Sequence, residues 1–340
     1  MTRFLALIFT VSLTSCTSQP YTKTHAPFDG VKFDNIEPFE DKSIFDLLSW
    51  TMGSMSESTP WPDKVDSKQF KPDSQRSVKP IITVINHASV LIQVDNLNIL
   101  TDPHYSLRAS PVQFAGPKRV VKPGIAFDDL PSIDIVLISH NHYDHLDLDT
   151  LKRLEDRDAP KFIAGLKTKS FLEDNGIKAA IDLDWWQSIT ANKTKITFVP
   201  SQHWSARGIF DKREMLWGGF YIENSYKIYF AGDTGYGKFF KKIKEKLGAP
   251  DLSLIPIGAY EPRWFMKDAH LNPKDSLQAF QDLQSKKMIG IHFGTFKLTD
   301  EGYTDPIDTL NEEIKKLNMD PLKIIIPTFG KPYSIEVILE

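Results

Sequence analysis

The chain has 340 residues, 41% of them hydrophobic and 25% charged, with a formal net charge of -3. That balance fits a globular protein with a sizeable core and excludes a disordered or fibrous chain, and it gives no reason to expect nucleic acid as a partner. The single cysteine, Cys16, excludes an intramolecular disulfide and a thiolate metal site, so any metal must be held by imidazole nitrogen and carboxylate oxygen.

The first residues read as an export signal. Arg3 supplies a thin positive region, and Phe4 to Leu13 form an apolar run too short for a bilayer core of about 30 Å. Leu13-Thr14-Ser15-Cys16 is similar to a bacterial lipobox. Residues 1–16 are therefore expected to be a lipoprotein signal peptide, with Cys16 the lipidated residue. That places the mature protein in a bacterial cell envelope, anchored to the membrane by lipid and facing the periplasm. Residues 17–79 read as a polar tether and an N-terminal extension lying against the main domain, with one helix near Ile44 to Met52. Residues 80–340 read as the catalytic domain.

From about residue 79 the pattern turns to short β-rich runs: Ile81 to Ile85, Val90 to Val94 and Leu97 to Leu100, with Asp95-Asn96 as a hairpin turn. Ile133 to Ile138 is an apolar run suited to a buried strand. Further strands are expected at Lys195 to Val199, Trp217 to Ile222, Tyr226 to Phe230, Leu252 to Ile257, Met288 to His292 and Ile324 to Pro327. Helical patterns fall at about 148–156, 167–175, 237–247, 273–285 and 306–318. Strands followed by alternating strands and helices predict packed sheets with helices outside, a layered α/β arrangement.

The strand ending at Ile138 runs into Ser139-His140-Asn141-His142-Tyr143-Asp144-His145. Four potential ligands crowd into six residues, and on a tight turn His140 and His142 can aim at one point while Asp144 and His145 aim at a neighbouring one. Imidazole and carboxylate are good zinc ligands. Three more metal-capable residues follow expected strands: His203, Asp233 and His292. Each alone reads as a satisfied structural residue; together with the first cluster they point to a metal site. Asp102 reads equally as a simple turn residue and as a buried carboxylate orienting a ligand or loop.

The run from His140 to His145 resembles the HxHxDH signature of the metallo-β-lactamase superfamily. The resemblance implies an αββα sandwich with its site at one edge of the two sheets. It also implies one metal held by His140, His142 and His203, a second by Asp144, His145 and His292, and Asp233 bridging both. Several stretches narrow the resemblance to the N-acyl-phosphatidylethanolamine-hydrolysing phospholipase D family. They are Thr101 to Pro103, Ser110 to Phe114, Gly116 to Val120, Gln202 to Gly208, Leu216 to Phe220 and Ala259 to Met266. The similarity spans roughly 80–300. Thr328 to Pro332 departs from the acidic ending expected of the family, which leaves that wall of the site undefined.

The implied chemistry is hydrolysis of a phospholipid phosphodiester by a hydroxide shared between two divalent ions, releasing phosphatidic acid and an N-acylethanolamine. Zinc suits the donors, and manganese and iron also fit. Asp144, Asp233 and His270 are the residues expected to act in catalysis. His270 is expected beside the substrate, as a proton donor to the leaving group or a contact to phosphate, against the plainer reading of a loop residue before the helix at Pro273. Arg207 and Arg263 are candidates to meet phosphate, although Arg263 beside Trp264 also suits packing on an aromatic ring. No HxKxxxxD pair and no GxSxG segment is present to support the other phospholipase D chemistry or a serine hydrolase. The competing readings are a hydrolase of a lactone, sugar lactone or nucleotide on the same fold, and a metal-binding lipoprotein without turnover. Nothing in the sequence excludes a homodimer.

Overall fold

The computed structural model describes residues 24–57 and 59–340; Cys16 and the export signal lie outside them. In chain order the elements begin with α1 (Ile44–Glu57), β1 (Ile81–Asn86), β2 (Ser89–Val94), β3 (Leu97–Thr101), β4 (Ile135–Ile138), α2 (Leu148–Asp158) and β5 (Lys161–Gly165). Next come α3 (Thr168–Asp174), β6 (Ala180–Leu183), β7 (Ser188–Ala191), β8 (Thr194–Val199), β9 (Gly219–Glu223), β10 (Lys227–Phe230) and α4 (Phe239–Leu247). The chain ends through β11 (Leu252–Pro256), α5 (Arg263–Met266), α6 (Pro273–Leu283), β12 (Lys287–Ile291), α7 (Asp305–Lys316), β13 (Ile324–Ile325), β14 (Pro332–Ser334) and α8 (Ile335–Leu339).

The strands form two sheets of seven, ordered β14-β1-β2-β3-β4-β5-β6 and β13-β12-β11-β10-β9-β8-β7. Successive side chains of a strand point to opposite faces, and the strands β1 to β3 use both. Ile82, Val84, Val90, Ile92 and Ile99 meet Phe198, Phe220, Phe230 and Leu254 of the other sheet in an inner core. Ile85, Leu91 and Leu100 point outward onto Leu151 and Leu154 of α2 and Leu172 of α3. The second sheet is covered in the same way, with Tyr229 and Ile255 under Phe240 of α4, Leu277 of α6 and Leu310 of α7. The layers are therefore helix, sheet, sheet, helix, the αββα sandwich expected from the sequence.

The tight hairpin between β2 and β3 turns on Asp95 and Asn96, with φ of 53° and 59°, as a two-residue turn demands. Strands β5, β6, β7 and β14 were not expected. Each is three to five residues long and lies at or beside a sheet edge. The segment Thr328 to Pro332 leads into β14, which pairs antiparallel with β1 as an edge strand. Pro332 is tolerated there because an edge strand need not donate every N–H.

Strand direction positions the site. β1 and β3 are each antiparallel to β2, and β3 is parallel to β4, so all three share a direction. In the other sheet β8 and β10 flank β9 antiparallel, while β10, β11 and β12 are parallel. Loops leaving the carboxyl ends of like-directed strands gather on one edge, where α/β sheets bind their ligands. The described part of the extension packs along that edge. Trp50 Nε1–H donates to Asp300 Oδ2 at 2.8 Å, and Asn35 Nδ2–H donates to the His203 carbonyl at 2.8 Å.

Candidate metal centre

All seven expected ligands meet at this edge, each on a loop that follows a strand. After β4 a single helical turn organises four of them: the His145 and Leu146 N–H groups both donate to the His142 carbonyl, at 3.1 and 2.8 Å. His140 Nε2 lies 2.8 Å from His142 Nδ1, and His203 Nε2 lies 3.2 Å from the same atom. Beside this trio, His292 Nε2 is 3.1 Å from His145 Nε2, and Asp144 Oδ2 is 3.3 Å from His145 Nε2 and 3.4 Å from His292 Nε2. Asp233 sits between the two groups. Its carboxylate is 3.2 Å from His145, 3.1 Å from His292 and 4.0 Å from His203. Gly232 makes that approach feasible: its φ is +61°, and a Cβ there would lie 2.6 Å from Ser139 Cβ.

The outward nitrogens of three histidines are held. His145 Nδ1–H donates to Asp102 Oδ2 at 2.7 Å, His203 Nδ1–H to the Ala269 carbonyl at 2.9 Å, and His140 Nδ1 is 2.9 Å from Ser139 Oγ. Asp102, fully buried, also accepts from the Ser139 N–H at 2.7 Å and its hydroxyl at 2.6 Å. It therefore braces both His145 and the loop, and is more than a turn residue. Ser139 Oγ spends its proton on Asp102, so it accepts from His140. These contacts fix the ring orientations and leave the Nε2 atoms of His140, His145 and His203 facing inward, the arrangement that metal-ligating histidines use.

The electrostatics divide the centre. Burial raises the carboxyl pKa of Asp144 and Asp233, but His145 and His292 outweigh it and hold both well below the usual range. Burial opposes charge on His145 and His292, yet Asp233 and Asp144 win: His145 is held well above the ordinary value and His292 is raised to about 9. In the other half, burial and neighbouring histidines hold His140 and His203 well below the ordinary value, and burial lowers His142 to about 4. One half thus pairs two carboxylates with two imidazoles, and the other offers neutral nitrogen donors. A cation fits this set for a further reason. His142 Nδ1 faces two lone pairs, and one proton satisfies only one of them. His142 Nε2 and His292 Nδ1 are also buried without a hydrogen-bond partner.

His270 lies beside the centre, with Nδ1 3.7 Å from Asp233 Oδ2 and its ring edge-on to His203 at 5.1 Å. Burial lowers its pKa to about 4, so at neutral pH it is an uncharged imidazole, suited to a hydrogen-bond contact. The two arginines do not meet the centre. Arg207 Nη1 donates to the Asn141 and Leu146 carbonyls at 2.9 and 2.8 Å and its guanidinium stacks on Tyr143 at 4.0 Å, bracing the ligand loop. Arg263 ties the His270 carbonyl to Asp275, at 2.8 and 2.7 Å. One residue was missed. His87, at the end of β1, has Nε2 3.0 Å from Asp144 Oδ2, and its ring lies 3.9 Å from that of His292. The signal was available: it is a metal-capable residue at the carboxyl end of a strand, as the others are.

A cavity of about 620 Å³ opens onto His142, Asp144, Asp233 and His270. Its apolar walls are Phe39, Leu47 and Trp50 from the extension, with Trp204, Ile209, Phe265 and Met266 from the sandwich, and Glu40, Lys42, Lys212 and Asp268 also line it. Trp204 and Phe265 are thus cavity wall, Trp217 and Tyr260 are buried, and Trp264 is half exposed.

Two stacked sheets with a His/Asp centre at one edge define a metal-dependent hydrolase of the metallo-β-lactamase fold. Residues 97–293 match the family model of the β-lactamase superfamily domain. The chain belongs to that superfamily and, within it, to the family of the N-acyl-phosphatidylethanolamine-hydrolysing phospholipases D. It is 41% identical over 243 residues to N-acyl-phosphatidylethanolamine-hydrolysing phospholipase D 1 of Caenorhabditis elegans, covering 68% of each chain. It is 27% identical to a metal-dependent hydrolase of Methanopyrus kandleri, covering 74% of this chain and 99% of that one. The chain spans 48% of the length of a yeast relative, the mitochondrial N-acyl-phosphatidylethanolamine-hydrolysing phospholipase D of Saccharomyces cerevisiae. A possible metal-dependent hydrolase of Veillonella parvula shares the fold, with a TM-score of 0.62 at 18% identity over 75% of this chain and 99% of that one.

Proposed function

We propose that the protein is a dinuclear phosphodiesterase that cleaves N-acyl-phosphatidylethanolamine-type phospholipids to phosphatidic acid and an N-acylethanolamine. The observation that carries this reading is the apolar cavity opening directly onto the centre. A volume of about 620 Å³ walled by tryptophan, phenylalanine and aliphatic side chains suits an acyl chain better than a polar nucleotide or sugar. The named activity of the Caenorhabditis elegans relative supports the same substrate class.

On this reading His140, His142 and His203 hold one ion, Asp144, His145 and His292 hold the other, and Asp233 spans both. Two divalent ions there, zinc being the expected pair, would supply Lewis acidity toward a phosphoryl oxygen and lower the pKa of water. The chain's own part is orientation. Asp102, Ser139 and the Ala269 carbonyl hold three imidazoles in one orientation. His270, neutral and on the cavity wall, offers an N–H to the phosphate or the departing oxygen. The apolar walls exclude water from the chain end of the lipid.

The test is release of phosphatidic acid from N-acylated phosphatidylethanolamine and from phosphatidylcholine in mixed micelles, with metal-replete protein. Preference for the first lipid is expected, not exclusivity, because the scissile bond is the same and apolar contacts discriminate by only about 1–3 kcal/mol. His270→Ala is expected to lower turnover at unchanged metal content. No release from any phospholipid, with brisk opening of a lactone, would replace this reading with lactone hydrolysis on the same centre.

A further inference from the structure

His87 is tied to the centre on two sides. It is 2% exposed and has a φ of 41°, a left-handed conformation rarely taken by residues other than glycine and one the surrounding structure must impose. That structure is visible. Its N–H donates to Thr295 Oγ1 at 3.0 Å, and its carbonyl accepts the His292 N–H at 2.8 Å. Its ring packs on the His292 ring at 3.9 Å, with the Phe296 ring edge-on behind it at 5.4 Å. So held, the ring places Nε2 3.0 Å from Asp144 Oδ2. An ionised carboxylate only accepts hydrogen bonds, so Nε2 must carry the proton. His87 thus touches two of the expected ligands, Asp144 through Nε2 and His292 through its ring and carbonyl, and stands in one cluster with Asp144, His145 and His292.

We propose that His87 is a positioning residue: its Nε2–H aims the Asp144 carboxylate, and its ring and carbonyl set His292. Resting on the two-ion reading above, this makes the Asp144, His145 and His292 half of the centre dependent on His87. The half formed by His140, His142 and His203 touches none of its atoms and is independent of it.

The experiment is cobalt(II) binding to metal-free full chain, read by chelator competition and by visible absorption, for the parent, His87→Phe and His87→Gln. Phenylalanine keeps a ring on His292 and removes the donor; glutamine restores an N–H at similar reach. The parent is expected to bind two ions. His87→Phe is expected to keep one ion at parental affinity and to bind the other about 10–100-fold more weakly, the usual scale for a lost partner of a ligand. His87→Gln is expected to recover affinity with the parental absorption bands. His87→Ala makes the same comparison if the phenylalanine variant does not fold. Two ions bound at parental affinity in His87→Phe would overturn the proposal, as would equal weakening in the Phe and Gln variants. Altered bands in His87→Gln would overturn it too, by making His87 a ligand. A parent that binds fewer than two ions fails the two-ion reading itself, and the positioning role falls with it.

Discussion

Asp144 and Asp233 control how the centre trades protons for cations. Their attraction outweighs burial and keeps His145 and His292 protonated at neutral pH when no metal is bound. Because the pKa values are raised, the protons are present below about 9 for His292 and lost above it. A cation bound by these nitrogens must therefore displace two protons across the neutral range, and its apparent affinity must fall as pH falls. Two protons per ion correspond to a loss of about 100-fold per pH unit. Chelator competition at pH 6, 7 and 8 measures this; an affinity that does not change with pH would show that the protons are not held there. The candidate ligands of this centre were legible because the chain writes four of them within six residues and the family resemblance supplies the other three. His87 was passed over although it follows a strand as the others do, because no neighbouring ligand is spaced to it, and its contact with Asp144 exists only after β1 and β4 are brought together.

At the level of elements, α1 is the piece whose role depends most on its neighbours. The sequence predicts a helix there, and the structure makes it one wall of the cavity. Trp50 lies tilted against Phe265, ring centroids 4.9 Å apart, and is pinned through its indole N–H to Asp300. Trp50→Ala removes apolar wall without touching the centre. The KM for a long-chain N-acylated phospholipid is expected to rise by roughly 10-fold, in line with about 1–3 kcal/mol for apolar discrimination. Turnover of bis(p-nitrophenyl) phosphate, too small to need that wall, should stay near the parental value. Steady-state kinetics on the two substrates decides it, and equal losses on both would mean that α1 supports the centre itself. Most strands and helices were legible from their periodicity. β5, β6, β7 and β14 were not; they lie at or beside sheet edges and are strands by virtue of the neighbours they pair with.

Across the whole molecule, the centre joins the two sheets. His140, His142, Asp144 and His145 follow a strand of one sheet, and His203, Asp233 and His292 follow strands of the other. An ion bound between them therefore crosslinks the sandwich and stabilises only the folded state. At a free concentration 100 times its Kd, one ion adds about 2.7 kcal/mol. Removing metal with a chelator should lower the thermal midpoint by roughly 5 °C or more, and scanning calorimetry before and after chelation is the measurement; an unchanged midpoint would show that no ion bridges the sheets. The sequence by itself determined the layered α/β class and the crowding of His140, His142, Asp144 and His145, because strand periodicity, ligand chemistry and close spacing are local properties; His203, Asp233 and His292 were joined to them by the family resemblance. Only the tertiary structure decided that Asp102 grips His145, that Arg207 braces the ligand loop in place of meeting phosphate, that His87 reaches Asp144, and that the extension walls an apolar cavity. Each of those is a contact between residues far apart in the chain, and such contacts are fixed by the packing of the two sheets and the shared direction of their strands.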